Sequence, residues 1–319
     1  PARLLRNNQA SVQGPALAGW TLEPILPALG DRAVRFIDDA SNESRPYFLY
    51  MPLTSPHTPL AVNDAWRGKS GLGVYADFVM ETDAVVGRVL EAIEASGAAE
   101  RTLVLFTSDN GCAPYIGVAD LERQGHYPSG PLRGYKSDVW EGGHRVPFIV
   151  RWPGVVQPGS VCDRLVHQAD LMATFADVVN QPLPDGAGED SFSLLPLLEG
   201  KDREVRQTAV SQSMRGMLAV RRGPWKLVRK GMKRELYNLD NDLGETKDLA
   251  KKHPEIVTEL SELLTAHAAA VEADTRPAGF VETGTAKPLI SEPGQLPKLR
   301  DYMGLANTTA IGPATRKAK

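Results

Sequence analysis

Residues Thr102–Gly111 read TLVLFTSDNG, a run of apolar and β-favouring side chains that stops at an acid, an amide and a glycine. Six such residues closed by a turn signal predict a buried strand, because they fit a surface covered on both faces. Outward from it, Val146–Trp152 (VPFIVRW) is a second strand closed by Pro153–Gly154, and Pro46–Leu53 (PYFLYMPL) is a third, ending where TSPHTP forbids continuation. Between the strands, Val74, Phe78, Val85, Val89, Leu90 and Ile93 recur at helical spacing, predicting a helix over Gly73–Gly97 with Gly97 as its C-terminal cap. Asp31–Asp39 (DRAVRFIDD) has the spacing of a short amphipathic helix. Strand, helix, strand in this order predicts an α/β fold, a mostly parallel sheet with flanking helices.

Beyond about residue 205 the pattern changes. Gln207–Ser213, Gly216–Arg221, Trp225–Arg229 and Glu235–Leu239 are short strand-like pieces, with a hairpin around Arg222–Pro224. Pro254–Ala273 follows as an amphipathic helix with proline in its first turn. The expected organisation is a larger α/β domain over 1–205, a small antiparallel sheet with a covering helix over 206–275, and an extended or disordered tail over 276–319.

The 319 residues carry a net charge of -3, which implies no general attraction to nucleic acid. Basic residues gather at Arg221–Lys233, but Trp225, Leu227 and Val228 interleave them, which predicts a strand with one solvated basic face. Cys112 and Cys162 have no CxxC spacing, so neither a zinc site nor a disulfide framework is suggested. No apolar run reaches the roughly 18 residues of a membrane span. The chain starts at Pro1 rather than methionine, so a missing export signal carries no weight.

In open α/β sheets, ligands bind beyond the carboxyl ends of strands. One strand leads there to Asp109 and Asn110, whose carboxylate and amide oxygens suit a hard cation such as Ca²⁺ or Mg²⁺. SDNG alone reads equally as an Asx turn. The loop PLRGYKSDVWEGGHRVP (131–147) adds Lys136, an ammonium that can hold an anion at such a metal, as a sulfate or phosphate ester requires. Arg133 and Arg145 either do likewise or pair with Asp138 or Glu141. His57, after the Pro46–Leu53 strand, either protonates a leaving oxygen or caps backbone groups.

Taken together, FLYMPLTSPHTPL (48–60), YADFVMETDAVVGRVLEAIEASG (75–97), TLVLFTSDNG and LRGYKSDVWEGGHRVPFIVRWPG (132–154) resemble the sulfatase family of the alkaline-phosphatase-like superfamily. SFSLLPLLEG, RRGPWKLV and ELYNLDNDLGETKDLA resemble its C-terminal segments, so the likeness spans roughly residues 30–275. The resemblance implies an alkaline-phosphatase-like sheet and a sulfuric ester hydrolase acting on a sulfated small molecule or glycan. It assigns Asp109 and Asn110 to a metal, usually Ca²⁺, Lys136 to the sulfate group, and His57 to the leaving-group side as general acid. His144 falls where the family varies, in a substrate or a supporting role; Asp83 is structural by position. Export to the periplasm or the cell exterior is common in the family.

Sulfatases act through a formylglycine made from the first residue of Cys/Ser-x-Pro-x-Arg. Cys112 is followed by Ala-Pro-Tyr-Ile and Cys162 by Asp-Arg-Leu-Val, so neither cysteine supplies it. The expectation is that the motif is missing, together with the family's early Asp-Asp pair and a second sulfate-binding loop, and that this chain is an inactive later part of the catalytic domain. The alternatives are a phosphoesterase or phosphonate hydrolase of the same superfamily, and a non-catalytic anion- or glycan-binding derivative.

Overall fold

The computed structural model describes residues 15–17, 19–43, 46–273 and 311–313. Its elements begin with β1 (Pro15–Leu17), α1 (Ile25–Asn42), α2 (Val74–Ala95), β2 (Val104–Thr107), α3 (Val118–Arg123), α4 (Glu141–His144) and β3 (Phe148–Arg151). They continue with α5 (Leu171–Val178), α6 (Leu195–Leu198), β4 (Thr208–Gln212), β5 (Leu218–Arg222), β6 (Trp225–Lys230), β7 (Lys233–Asn238), α7 (Pro254–Ala273) and β8 (Ile311–Pro313). The chain divides into two compact units, residues 1–90 with 275–319, and residues 91–274. The expected 276–319 tail lies outside the described residues except for β8, which pairs antiparallel with β1.

In the first unit, α1 is twice the length its apolar spacing marked, starting directly after Pro24. Leu26, Ala33 and Ile37 form its buried face, and Gly30 lets that face approach α2: a Cβ there would sit 2.9 Å from Val85 Cγ1. Leu26, Val62, Phe78 and Val85 make the core, with Met51 and Leu53 packed on it. The Pro46–Leu53 segment is not the buried strand its composition predicts. It forms no sheet ladder among the described residues, and Phe48 and Tyr50 are 69% and 76% exposed. Its odd positions 47, 49, 51 and 53 turn partly inward and its even ones outward, the period-2 alternation of a one-sided surface, which the apolar composition of both sets concealed. Two acids missed by apolar spacing hold the connecting loop. Buried Asp77 accepts bonds from the Gly68 and Ser70 amides, both at 2.8 Å, and buried Glu81 accepts from the Asn63 amide at 3.0 Å.

In the second unit, β2 and β3 fall where expected but pair antiparallel, in the register Val104↔Arg151 to Thr107↔Phe148. The expected sheet is mixed and mostly parallel; this pair is antiparallel, as is every ladder among the described residues. The connection between them is a looped excursion with two short helices, not a crossover helix that would return the chain to the same end.

The four C-terminal strands form the expected antiparallel meander in the order β4-β5-β6-β7. Gly223 and Pro224 make the two-residue hairpin between Arg222 and Trp225, with Gly223 at φ 54°, the positive value such tight turns need. Helix α7 covers one face, where Val220, Leu227, Leu236, Leu260 and Leu264 are all buried. Truncating Leu227 to alanine is expected to cost about 2–5 kcal/mol, the range for a fully enclosed leucine, read as a lowered urea midpoint at unchanged slope.

Candidate active site

Beyond β2 the chain turns at Ser108–Gly111, where the Ser108 hydroxyl donates to the Asn110 carbonyl at 3.0 Å. Gln168 pins the strand end by donating to Thr107 Oγ1 at 3.1 Å and to the Ser108 carbonyl. The turn is then stitched to the 131–147 loop through the main chain. The Gly111 amide donates to the Gly143 carbonyl at 3.1 Å, the Lys136 amide to the Cys112 carbonyl at 2.8 Å, and the Gly142 amide to the Arg133 carbonyl at 2.8 Å.

These approaches need glycine. A Cβ on Gly111 would lie 1.8 Å from the Gly142 oxygen, one on Gly142 2.2 Å from the Gly134 oxygen, and one on Gly143 2.4 Å from the Asp138 oxygen. The loop also contains Ser137 at φ 79°, a left-handed position that a serine occupies only when its surroundings over-determine it. It adjoins Lys136. Asp138 braces the same turn, accepting from the Tyr135 amide at 3.0 Å.

Asp109 and Asn110 thus sit on one braced turn, and Lys136 on the loop bonded to it. Asp109 is exposed and its carboxylate accepts no side-chain or backbone hydrogen bond among the described residues. Asn110 is half-buried and donates its amide to the Gly111 carbonyl at 3.0 Å, so its amide oxygen is not used in that bond. Lys136 is half-buried, held through its backbone while its ammonium makes no ion pair among the described residues. His57, in the other unit, is exposed between two cis X-Pro bonds with Nδ1 2.6 Å from the Thr58 carbonyl, the backbone contact that was its alternative reading.

The two arginines are occupied. Arg133 stacks over Trp140 with its guanidinium carbon 3.6 Å from the ring centroid, and donates to the Glu245 carbonyl at 2.8 Å. Arg145 lies 3.4 Å from Glu141. His144 is largely covered, with Nε2 3.1 Å from the Val139 carbonyl and 3.4 Å from Lys226 Nζ. Burial first, and the Lys226 charge second, hold its imidazole below the ordinary value.

Underneath lies a charged cluster that apolar spacing missed. Lys226 Nζ is 2.8 Å from Glu141 Oε1 and 2.9 Å from Glu245 Oε1, and the Glu141 amide donates to Glu245 Oε2 at 2.7 Å. Lys226 is 1% exposed, Glu141 2% and Glu245 0%. The solvated basic face expected for this stretch is therefore wrong at Lys226: in β6, Lys226, Leu227 and Val228 are all buried, because α7 covers one face and α4 with its loop covers the other. Burial pushes the Glu141 carboxyl up, and Lys226 more than reverses this, leaving it below the usual range. For Glu245 burial dominates and its carboxyl is raised.

Asp109 and Asn110 fit a hard cation in kind, since they are oxygen donors, one an exposed carboxylate and the other an amide whose oxygen takes no part in its bond to Gly111. They are two donors of the six to eight that Ca²⁺ takes. No cluster of three or more His, Cys, Asp or Glu suited to a metal occurs among the described residues. The letters Ser-x-Pro-x-Arg do occur, at Ser129–Arg133, which corrects the expectation that no such pattern is present. The residues there do not fit a formylglycine centre: the Ser129 hydroxyl donates to the Gly134 carbonyl at 3.2 Å and Arg133 is engaged with Trp140.

The family model described as sulfatase matches residues 7–181, and that of the N-sulphoglucosamine sulphohydrolase C-terminal region matches residues 135–270. The chain belongs to the sulfatase family. It is 37% identical over 270 residues to an N-acetylgalactosamine-6-O-sulfatase of Bacteroides thetaiotaomicron, covering 79% of this chain and 52% of that protein. Human arylsulfatase A is 37% identical over 231 residues, 69% of this chain and 44% of that protein. The chain thus spans about half the length of the curated relatives it matches.

Among solved structures, a B. thetaiotaomicron sulfatase from work on glycosaminoglycan metabolism superposes with a TM-score of 0.73 at 34% identity, covering 77% of this chain and 55% of that one. Ps i-CgsB bound to a neocarrahexaose gives 0.69 at 25% identity, over 88% and 60%. These neighbours establish the alkaline-phosphatase-like α/β fold, with the small antiparallel sheet and C-terminal helix as expected.

Gly142→Ala is expected to destabilise by about 1–3 kcal/mol through overpacking, whereas Gly87→Ala, with open space around its Cβ on α2, should be neutral or gain up to about 1 kcal/mol; denaturant titrations of the two variants compare them directly. His144 binds a proton less readily folded than unfolded, so the unfolded state takes up more protons as pH falls below 6.5. Stability should therefore be full above that pH and decline below it, and His144→Gln should flatten that decline in a pH series of melting temperatures.

Proposed function

We propose that this chain carries the metal- and sulfate-binding half of a sulfuric ester hydrolase centre. The observation that supports it most is the pair of main-chain bonds, Gly111 to Gly143 and Lys136 to Cys112, which join an unpartnered carboxylate and an ammonium without an ion pair into one braced loop cluster. A structural role for those side chains would give them internal partners.

In this reading Asp109 and Asn110 hold Ca²⁺, with Mg²⁺ as the alternative cation; the metal, when bound, neutralises and polarises the sulfate oxygens. Lys136 binds a non-bridging sulfate oxygen, its ammonium countering the charge that grows as the ester S–O bond breaks. His57 gives the leaving oxygen its proton, a role assigned on the family resemblance alone. The leading substrate class is a sulfated sugar, as in the name of the N-acetylgalactosamine-6-O-sulfatase relative.

The 319-residue chain by itself is expected not to turn over aryl sulfates, because the site among the described residues offers two metal donors and a serine already bonded to its own backbone. Measurable hydrolysis of nitrophenyl or methylumbelliferyl sulfate by this chain alone would overturn that expectation. In a protein that contains this chain and hydrolyses such esters, Asp109→Ala should lose both bound Ca²⁺ and activity. Lys136→Ala should lower kcat/KM by about 10²–10³-fold, the usual cost of removing one charge-stabilising donor. A preference for phosphate over sulfate esters would favour a phosphoesterase, and binding of sulfated sugars without turnover a non-catalytic protein.

A further inference from the structure

The buried ammonium of Lys226 stands on β6, in the C-terminal sheet, yet both of its carboxylate partners bear on the candidate site. Glu141 opens α4, the helix whose Gly142 and Gly143 press against Gly111. Glu245 accepts the Glu141 amide, and its carbonyl receives Arg133 from the loop that carries Lys136. From Lys226 to the Lys136 and Gly111 amides there is thus an unbroken chain of short contacts: ammonium to Glu141, two residues along α4 to Gly143, and main-chain bonds to the turn and the loop. Apolar packing also joins the two parts, through Val139 and Trp140 against Ala219, Val228 and Tyr237. That packing is non-directional and would tolerate sliding; the three charges are not so tolerant.

We infer that Lys226 is a positioning residue for the ester-binding loop: from the C-terminal sheet it sets the depth of α4, so that the two glycines hold the Asn110–Gly111 turn and Lys136 in register. It touches neither substrate nor metal. A group in this role is sensitive to geometry as well as to charge. Lysine presents a compact point charge that satisfies two carboxylates on different segments, whereas arginine's planar fork is larger and prefers one carboxylate side-on.

The inference rests on the proposed sulfatase reading for its catalytic consequence, but not for its structural one, so two readouts separate them. Amide hydrogen exchange in Lys226→Met should rise at Gly111 and Lys136 by about tenfold or more, while amides in the middle of α7 stay within about twofold of wild type. Glu245→Gln keeps the shape of its side chain and guards against misfolding of the lysine variant; it should show the same local pattern in weaker form. In protein that turns over sulfate esters, Lys226→Met should lower kcat by about tenfold or more with a smaller change in KM, and Lys226→Arg should recover part of the loss. Unchanged exchange at Gly111 and Lys136 in both variants overturns the inference, and so does a uniform rise across the sheet and α7, which makes Lys226 a general stabiliser. Local exchange that responds in a protein lacking sulfatase activity overturns the functional reading and leaves the positioning role standing.

Discussion

Two carboxylates and one ammonium in a dry interior set the terms for the larger unit of this protein. Taking each charge out of water costs several kcal/mol, and the cost is recovered only when partners sit at hydrogen-bonding distance. Lys226, Glu141 and Glu245 meet that condition within 2.9 Å, with Arg145 at 3.4 Å and Arg221 at 3.8 Å closing the outer side of Glu141. The three come from β6, α4 and the turn after β7, segments far apart in sequence, so these ion pairs form only when those segments are brought together. It is this that makes α4, four residues long and without a side-chain cap, a fixed element.

With α4 fixed, the glycines acquire their meaning. A four-residue helix has almost no surface of its own, and it can serve as a platform only if neighbouring backbones come down onto it. Gly111, Gly142 and Gly143 allow that descent, and each would clash with a carbonyl oxygen if it carried a methyl group. Hydrogen bonds then run main chain to main chain, leaving side chains free to face outward. The left-handed Ser137 is held by the same framework, its carbonyl accepting the Met214 amide at 3.0 Å. The division of labour is physical: backbone and buried charge hold the loops, and the Asp109 carboxylate and Lys136 ammonium take no ion pair among the described residues.

Much of this was readable from residues alone. The helices over 74–95 and 254–273, the hairpin at Gly223–Pro224 and the C-terminal meander follow from periodicity and turn chemistry, which are local. Asp109 was legible as a candidate metal donor and Lys136 as a candidate anion-holding group, and the family strings gave them roles. Lys226 was not legible, since a lysine among Trp225, Leu227 and Val228 looks like any solvated residue of a one-sided strand. The exposure of Phe48 and Tyr50 was not legible for a related reason: an apolar run announces that it will be covered, but not by what or from which side.

By itself, then, the sequence determined most of the helices and strands, which rest on local spacing and turn residues, and its strings carried the likeness to the sulfatase family. Tertiary structure alone decided which charges are buried, which arginines are occupied and why two adjacent glycines are needed. Those depend on carbonyls and carboxylates brought to within about 3 Å from segments some hundred residues apart, such as Glu141 and Glu245, and no local pattern encodes that approach.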